Sequence, residues 1–319
     1  MTTMINPQKG PLSEDLPNAE PMLFQQTVPP RLVRRTHTPD VFVTDLRVTG
    51  FNTFQVGVRW PAAHSFYGPT TQHVHDPLMF LEGVRQAGLL IAHVAFEIPT
   101  EFKFITHDKQ FDISPEGLRT RGAEPVDTVI TVTAHDIRRR GRGFAGMRFE
   151  FTCTRDGEQI GTAAYRWSCV SSAGYARLRG ERRTAAPASR AGLDLVAPQL
   201  IGRQDPIDVM LVNRPAGPGW ELLIDPDHPV VFDHPIDHVP GNAAIEAARQ
   251  AALLALGQPA ALPVEGEFSF QHYLEFDSTC LVFAERDGSS ATGASTVRIV
   301  LEQDGHTAAE GSFGLLCRD

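Results

Sequence analysis

The chain has 319 residues, which at roughly 150 residues a domain suggests two domains. Apolar residues make up 42% and charged residues 21%, so the composition excludes a chain that is disordered throughout. The net charge of −9 argues against non-specific nucleic-acid binding. No apolar run reaches the length of a membrane span, and the first residues lack the apolar region of a secretory leader. Four cysteines without a C-x-x-C pair predict neither a zinc site nor a disulfide framework, and they favour the reducing cytoplasm.

Composition divides the chain into four parts. Residues 1–30 are polar and rich in proline, which predicts a loose tail. Residues 177–204, rich in Arg, Ala and Pro, predict a linker. The blocks between and after them, 31–176 and 205–319, each suit one domain.

The two blocks are copies of each other. At an offset of 164, six of the ten positions 82–91 are identical to their counterparts, which indicates a tandem duplication. The repeated polar residues are Glu82, Arg85 and Gln86 in the first copy and Glu246, Arg249 and Gln250 in the second.

Each copy shows strands, then one helix, then more strands. In the first copy β-type segments lie at 42–46, 54–60, 128–133, 146–154 and 163–170, around a helix that follows Asp76 and runs to about residue 96. In the second copy strands near 208–212 and 220–224 precede a helix over 242–256, which Gly257 ends, and further strands follow to residue 317. One apolar helix per copy cannot build a parallel βαβ sheet. We therefore predict an α+β double hotdog, in which each half is an antiparallel sheet wrapped around one central helix.

The start of the second helix carries the pattern P-G-x4-E-x3-Q, from Pro240 to Gln250. It resembles the helix start of hotdog hydroxyacyl-carrier-protein dehydratases, a likeness that extends to Gly241, Glu246 and Gln250. The His-Phe-Pro that supplies the dehydratases' catalytic histidine is missing, because the loop here has Asp233, His234 and Pro235. Dehydration is therefore not the predicted reaction.

A longer resemblance covers nearly the whole chain beyond residue 25. The stretches RWPAAHSFYGP and HDPLMFLEGVRQAGLLIAH in copy one, with DHPIDHVPG and EAARQAA in copy two, are similar to the AfsA-like γ-butyrolactone synthases of A-factor biosynthesis. The resemblance implies an acyltransferase that moves a β-ketoacyl group from an acyl carrier protein to the hydroxyl of dihydroxyacetone phosphate. The product would be a precursor of a γ-butyrolactone or butenolide signal.

The residues fit this chemistry. In each copy a glutamate, an arginine and a glutamine stand at positions i, i+3 and i+4 of the helix. We predict that the glutamate, Glu82 or Glu246, is catalytic as a general base and that burial raises its pKa. Arg85 or Arg249 is predicted to bind the phosphate or orient the glutamate, and Gln86 and Gln250 to bind substrate. The alternative for each copy is an ion pair on an exposed helix face. The residues leave open which copy is active, and no metal or organic cofactor is expected.

Three further features predict substrate contacts. Helix N-terminal amides near Gly241 or at Asp76–Leu78 are candidate oxyanion donors. The second helix has the small residues Ala244 and Ala248 where the first has bulky ones, so the acyl chain is predicted to run along that face. His75 and His238 are the candidates for a histidine of one copy that meets the glutamate of the other.

Two other functions stay open from the residues. One is a hotdog thioesterase or dehydratase that acts on the same thioester, and the other is a non-enzymatic regulator that binds an acyl ligand. The expected partners are the acyl carrier protein and the triose phosphate, with no nucleic acid and no membrane, and the expected assembly is a monomeric pseudo-dimer or a homodimer.

Overall fold

A computed structural model describes residues 22–68, 73–141, 143–180, 190–233, 236–289 and 293–317. Most of the predicted tail (1–21), the centre of the predicted linker (181–189) and the loop residues His234 and Pro235 lie outside the described residues. Among the described helices, none has the length and apolar character needed to cross a membrane.

Within the described residues, each half contains six strands and one long helix. The elements of the first half are β1 (Val43–Gly50), β2 (Thr53–Trp60), α1 (Pro77–Val94), β3 (Lys103–Ile113), β4 (Val126–Arg140), β5 (Gly143–Arg155) and β6 (Glu158–Val170). A short helix, α2 (Ser172–Arg179), follows it. The elements of the second half are β7 (Leu211–Asn213), β8 (Trp220–Leu222), α3 (Gly241–Leu256), β9 (Leu262–Phe270), β10 (Cys280–Ser289), β11 (Ser295–Gln303) and β12 (His306–Leu316).

The strands form one twelve-stranded sheet in the order β1-β2-β4-β5-β6-β3-β9-β12-β11-β10-β8-β7. The order of the second half repeats that of the first in reverse, as a pseudo-two-fold axis between β3 and β9 requires. All described pairings are antiparallel, and at the junction Asp108–Asp112 pair with Glu265–Ser269. This arrangement confirms the predicted double hotdog.

Local sequence explains the turns. Asp156 and Gly157 between β5 and β6 both have positive φ, and Asp304 and Gly305 repeat this between β11 and β12. Two successive residues with positive φ form the tight hairpin turn that suits the twist of the flanking strands.

The two long helices lie inside the halves. Most of α1 is buried, where it packs on β1, β2 and β4, while α3 packs on β10 and β11. The predicted start of α1 is confirmed, because the Asp76 side chain accepts a hydrogen bond from the Leu78 amide. Gly257 ends α3 with a left-handed backbone, also as predicted.

One strand differs from the prediction. Strand β3 lies at the centre of the sheet although no strand was predicted there, because its sequence mixes charged and apolar residues. The described end of the predicted linker is ordered: Ile201 is fully buried in a short 3-10 helix over Pro198–Ile201. This segment therefore contributes side chains to the interior.

Candidate functional site

A buried carboxylate lies in the second turn of α1. Glu82 is fully buried, and its oxygens accept hydrogen bonds from Arg85 Nε at 2.9 Å and Nη2 at 2.7 Å. Gln86 Nε2 donates at 2.7 Å. The structure thus brings the predicted acid, cation and amide together inside the protein, which excludes the alternative of an exposed helix face for Glu82.

Half two repeats the arrangement. Glu246, 1% exposed, accepts from Arg249 Nε at 2.8 Å and Nη2 at 2.7 Å, and from Gln250 Nε2 at 2.7 Å. A second guanidinium completes it, since Arg203 Nε donates to the same carboxylate at 3.0 Å. In half one Arg35 Nε donates likewise to Glu82. Each half therefore holds one carboxylate between two arginines, Glu82 between Arg35 and Arg85 and Glu246 between Arg203 and Arg249, an arrangement that we call the Glu clamp.

The second arginine of each clamp also joins the halves. Arg35 donates to Glu82 at 3.0 Å and to the Val230 carbonyl at 2.6 Å. Arg203 donates to the Phe66 carbonyl at 2.5 Å. Phe66 and Val230 are counterparts at the offset of 164, so the two crossing bonds obey the pseudo-two-fold axis.

Sequence reasoning missed both of these arginines. One lies just after the predicted tail and the other inside the predicted linker. A signal was present, because Arg35 and Arg203 each stand five residues before an Asp-Val pair. The pattern R-x4-D-V is repeated at an offset of 168, which is four residues larger than the offset of 164 at which the helices repeat.

The clamps set the charge state of both glutamates. Burial alone raises the pKa of Glu82, but the guanidiniums of Arg35 and Arg85 outweigh it, so the pKa falls well below the ordinary value. For Glu246 burial likewise opposes Arg203 and Arg249, and its pKa is also lowered. The expectation that burial raises these pKa values is wrong, because each carboxylate has two cationic partners. Both stay ionised at neutral pH.

The two glutamines predicted to bind substrate are bound to the protein itself. Gln86 accepts from the Phe42 amide at 2.8 Å and donates to the Asp40 carbonyl at 2.7 Å. Gln250 makes the equivalent bonds to Met210 and Asp208, at 2.9 and 2.8 Å. Both side chains are fully buried, and they attach each helix to the segment that precedes the first strand of its half.

The halves differ where the helices begin. Helix α1 has Pro77 in its first turn, after the capping Asp76. Helix α3 begins at Gly241 after Pro240, and no described side chain caps it. The first amides of α3 therefore have no intrahelical acceptor and carry the positive end of the helix dipole.

A small cavity of about 110 Å³ lies beside this helix start and beside the Glu82 clamp. Arg85, Thr106, Lys109, Gly241 and Asn242 are among its lining residues. Asn242 links the two halves, because its side chain donates to Glu82 Oε2 at 3.0 Å and accepts from Lys109 Nζ at 2.5 Å.

Lys109 is the unusual cation of this cavity. It is 7% exposed, and among the described residues no carboxylate lies within ion-pair distance of it. Burial, with a smaller contribution from Arg85, lowers its pKa to about 8, although Glu82 acts in the opposite direction. A buried ammonium without a carboxylate is costly, so this position favours an anionic ligand.

A larger cavity of about 610 Å³ adjoins the first. Thr106 and Gly241 line both cavities, and apolar side chains such as Val239 and Phe270 line the larger one. Ala244 also lines it, whereas Ala248 is fully buried and lines neither cavity. The predicted acyl face thus coincides with a cavity wall at Ala244.

The two candidate histidines lie in different surroundings. His238 lines the larger cavity and hydrogen-bonds Asp237. His75 lines neither cavity; it is buried, its ring packs edge-on against Trp60, and burial lowers its pKa to about 4, with a smaller contribution from Arg155. Among the described residues neither ring bonds a clamp glutamate. No cluster of three or more potential metal-ligating side chains occurs in the same residues.

Comparisons with known proteins agree with this geometry. The family model described as the A-factor biosynthesis hotdog domain matches residues 18–171 and 184–319. A 2-oxo-3-(phosphooxy)propyl 3-oxoalkanoate synthase from Streptomyces virginiae is 38% identical over 281 residues, which cover 88% of this chain and 95% of the relative. A protein of the same name from Streptomyces griseus is 34% identical over 282 residues, 86% of this chain and 91% of the relative.

Among solved structures, an acyl-ACP thioesterase from Bacteroides thetaiotaomicron superposes with a TM-score of 0.50. It shares 12% sequence identity, and the match covers 82% of this chain and 98% of that one. At this identity the likeness shows the fold alone.

Proposed function

Because the chain belongs to the A-factor biosynthesis hotdog family, we propose that it is an acyltransferase that joins a β-ketoacyl group to dihydroxyacetone phosphate. The hydroxyl oxygen of the triose phosphate attacks the thioester carbonyl of a β-ketoacyl-acyl carrier protein. A C–O bond forms, the C–S bond breaks, and the hydroxyl proton ends on the released thiol. The ester product carries the two halves that the relatives' name describes.

The observation that carries this proposal is the buried Lys109 ammonium beside the uncapped start of α3. A phosphate dianion supplies the negative charge that Lys109 lacks, and the exposed edge of Arg85, whose side chain is 23% accessible, adds a guanidinium fork. The small cavity is therefore assigned to the triose phosphate.

The larger cavity is assigned to the acyl thioester. Its apolar wall at Val239, Ala244 and Phe270 suits a hydrocarbon chain, and it meets the small cavity at Gly241. A thioester carbonyl at this junction lies near the free amides of α3, which are oriented to stabilise the oxyanion of the transition state.

The Glu82 clamp has a positioning role in this proposal. Its carboxylate is ionised and accepts from three side chains of its own half as well as from Asn242, so it orients Arg85 and Asn242 toward the small cavity. A carboxylate whose pKa is lowered is a weak proton acceptor. Glu246 also lines the small cavity, but among the described residues no lysine or asparagine hydrogen-bonds its carboxylate. We assign the Glu246 clamp the role of holding the second half together.

We place the reaction in the cytoplasm, where the three buried cysteines, Cys153, Cys169 and Cys280, and the exposed Cys317 stay reduced. The expected partner is the acyl carrier protein. Since the two halves already supply both walls of the site, one chain suffices for a complete pseudo-dimeric unit.

The test is mass spectrometry of the products from a defined β-ketoacyl carrier thioester, with and without dihydroxyacetone phosphate. We expect the phosphorylated ester only when both substrates are present. Release of free β-keto acid at the same rate without the triose phosphate would overturn the proposal in favour of a thioesterase.

A matched pair of variants links the reaction to the small cavity. Lys109→Met should raise the KM for the triose phosphate by about 10- to 100-fold, the loss of one charge-assisted contact. Lys103→Met, on the exposed end of the same strand, should leave the KM unchanged.

A further inference from the structure

The larger cavity contains a histidine that is held by a carboxylate. His238 Nδ1 lies 2.8 Å from Asp237 Oδ1, and the His238 side chain is 19% accessible. The same residue lines the cavity two positions before Pro240 and three before Gly241. An imidazole thus faces the space in which the uncapped helix begins.

Two side chains of α2 also hold the carboxylate. Tyr175 Oη donates to Asp237 Oδ1 at 2.7 Å and Arg179 Nε donates to Oδ2 at 3.0 Å. Arg179 is itself fixed by two 2.6 Å bonds to Glu275 and lies 4.1 Å from the centre of the Tyr273 ring. Because these contacts fix Asp237, the orientation of His238 is also fixed.

The hydrogen bonds assign the tautomer. Burial raises the pKa of Asp237, but hydrogen bonds from His238, Tyr175 and Arg179 outweigh burial, so the pKa falls below its ordinary value. The carboxylate is therefore ionised and accepts these hydrogen bonds. His238 Nδ1 therefore carries its proton, which leaves Nε2 with a free lone pair in the neutral ring. No hydrogen bond joins Nε2 to any residue that the structure describes.

The first half has no equivalent. At the offset of 164, His238 corresponds to Val74 and Gly241 to Pro77, so half one lacks both the imidazole and the glycine amide. Tyr175 and Arg179, which hold Asp237, come from helix α2, which follows the first half. Other Asp–His pairs, His64 with Asp40 and His228 with Asp208, are present in both halves. Among the described residues, His238 with Asp237 is the one such pair whose histidine lines the larger cavity.

We propose that His238 is the catalytic general base of the acyl transfer and that Asp237 is its positioning residue; this rests on the proposed function. Nε2 takes the proton of the triose phosphate hydroxyl as the oxygen bonds to the thioester carbon. The carbonyl electron pair moves to the oxygen, which the α3 amides hold. When the oxyanion collapses, the C–S bond breaks, and the imidazolium returns its proton to the sulfur. The proton and electron pairs balance without any other reactant.

The test compares His238→Gln with His135→Gln, which changes an exposed histidine on β4 that pairs with Glu150. We expect His238→Gln to lower kcat for ester formation by about 10²- to 10⁴-fold, the usual range for general-base catalysis. The dissociation constant of an unreactive β-ketoacyl amide analogue should change less than about threefold. His135→Gln should retain the wild-type kcat.

Two further variants separate chemistry from folding. Added imidazole should restore the kcat of His238→Gly in a dose-dependent and saturable way, while the affinity for the substrates stays unchanged. Restored packing alone would not raise kcat in this way. Asp237→Asn removes the carboxylate that accepts from Nδ1 and fixes the tautomer, so kcat should fall by about 10- to 100-fold while the KM for both substrates changes less than about threefold.

The outcomes are distinguishable from failure of the proposed function. If the wild-type chain forms no ester, the proposed function fails. If the wild type forms ester and folded His238→Gln does so within threefold of the wild-type rate, or if imidazole has no effect on His238→Gly, the assignment of His238 is overturned while the acyltransferase stands.

Discussion

Replacing Glu246 by glutamine tests whether the buried carboxylates are structural anchors or proton acceptors. Glu246→Gln removes the negative charge between two buried guanidiniums, whose side chains are 6% exposed in Arg203 and 7% in Arg249. Arg203 keeps a second carboxylate, Asp76, at 3.4 Å. Arg249 has Glu246 as its only ion-pair partner among the described residues. The cost should therefore come mainly from Arg249.

The expected loss is about 3 kcal/mol in the free energy of unfolding, at the low end of the range for breaking a buried ion pair. Removing Arg249 as well should restore part of this, because Arg249→Met eliminates the guanidinium that was left without a partner. The double variant should be more stable than the sum of the single changes predicts, by about 2 kcal/mol. Urea unfolding at pH 7, followed by circular dichroism and tryptophan fluorescence, measures all four corners of the cycle.

Activity supplies the second readout. If Glu246 is an anchor, ester formation per folded molecule should recover in the double variant together with stability. A general base behaves otherwise, since removing a neighbouring cation cannot replace a lost proton acceptor. Additive losses within about 0.5 kcal/mol, or a stable Glu246→Gln variant with a hundredfold lower kcat, would refute the anchor.

Three other predictions concern the cavities. The KM for triose phosphate should rise as the pH increases through about 8, where Lys109 loses its charge, and a pH series on Lys109→Met should lack this rise. Gly241→Pro removes a backbone N–H and should lower kcat by about 10²- to 10³-fold. Stability in urea should change little, because proline is tolerated at a helix start and Pro77 occupies the counterpart position. Gly241→Ala, whose Cβ meets only ordinary contacts, is the control. Ala244→Phe should shorten the acyl chains accepted in competition assays, whereas Ala248→Phe should cost about 1–3 kcal/mol by overpacking, measured by urea unfolding.

Much of the fold could be predicted because the duplication repeats the same residue pattern in both helices. The repeated helix residues fixed two equivalent halves, and the starts and ends of α1 and α3 lie within about two residues of the predicted bounds, since the caps Asp76 and Gly257 are local in sequence. Strand β3 was missed for a physical reason. It lies between the halves, so β9 covers one edge of it, and only Lys109, Phe111 and Ile113 of its eleven residues are buried, which gives a weak alternating pattern.

The site was only partly predictable. The spacing of Glu82 and Arg85 placed them on one helix face, but their charge state depends on Arg35, which is 47 residues away from Glu82 in the chain. Whether the pKa of a buried carboxylate is raised or lowered depends on the number of cations around it. That number is set by the tertiary structure. Lys109 and Asn242 come together across the pseudo-two-fold axis for the same reason.

The differences between the halves indicate where function resides. A helix start capped by an aspartate is more stable than an uncapped one by about 1 kcal/mol, and a buried lysine without a carboxylate lowers stability further. Half one has the stabilising cap at α1, whereas the start of α3 in half two is uncapped. Lys109 of β3 lies beside that start, because it donates to Asn242. Stability alone would favour the opposite choice at each position, so the local cost at Gly241 and Lys109 is explained by a ligand that supplies the missing negative charge. Saturating triose phosphate should therefore raise the melting temperature of the wild-type chain and have a smaller effect on Lys109→Met; equal shifts would show that the anion binds elsewhere.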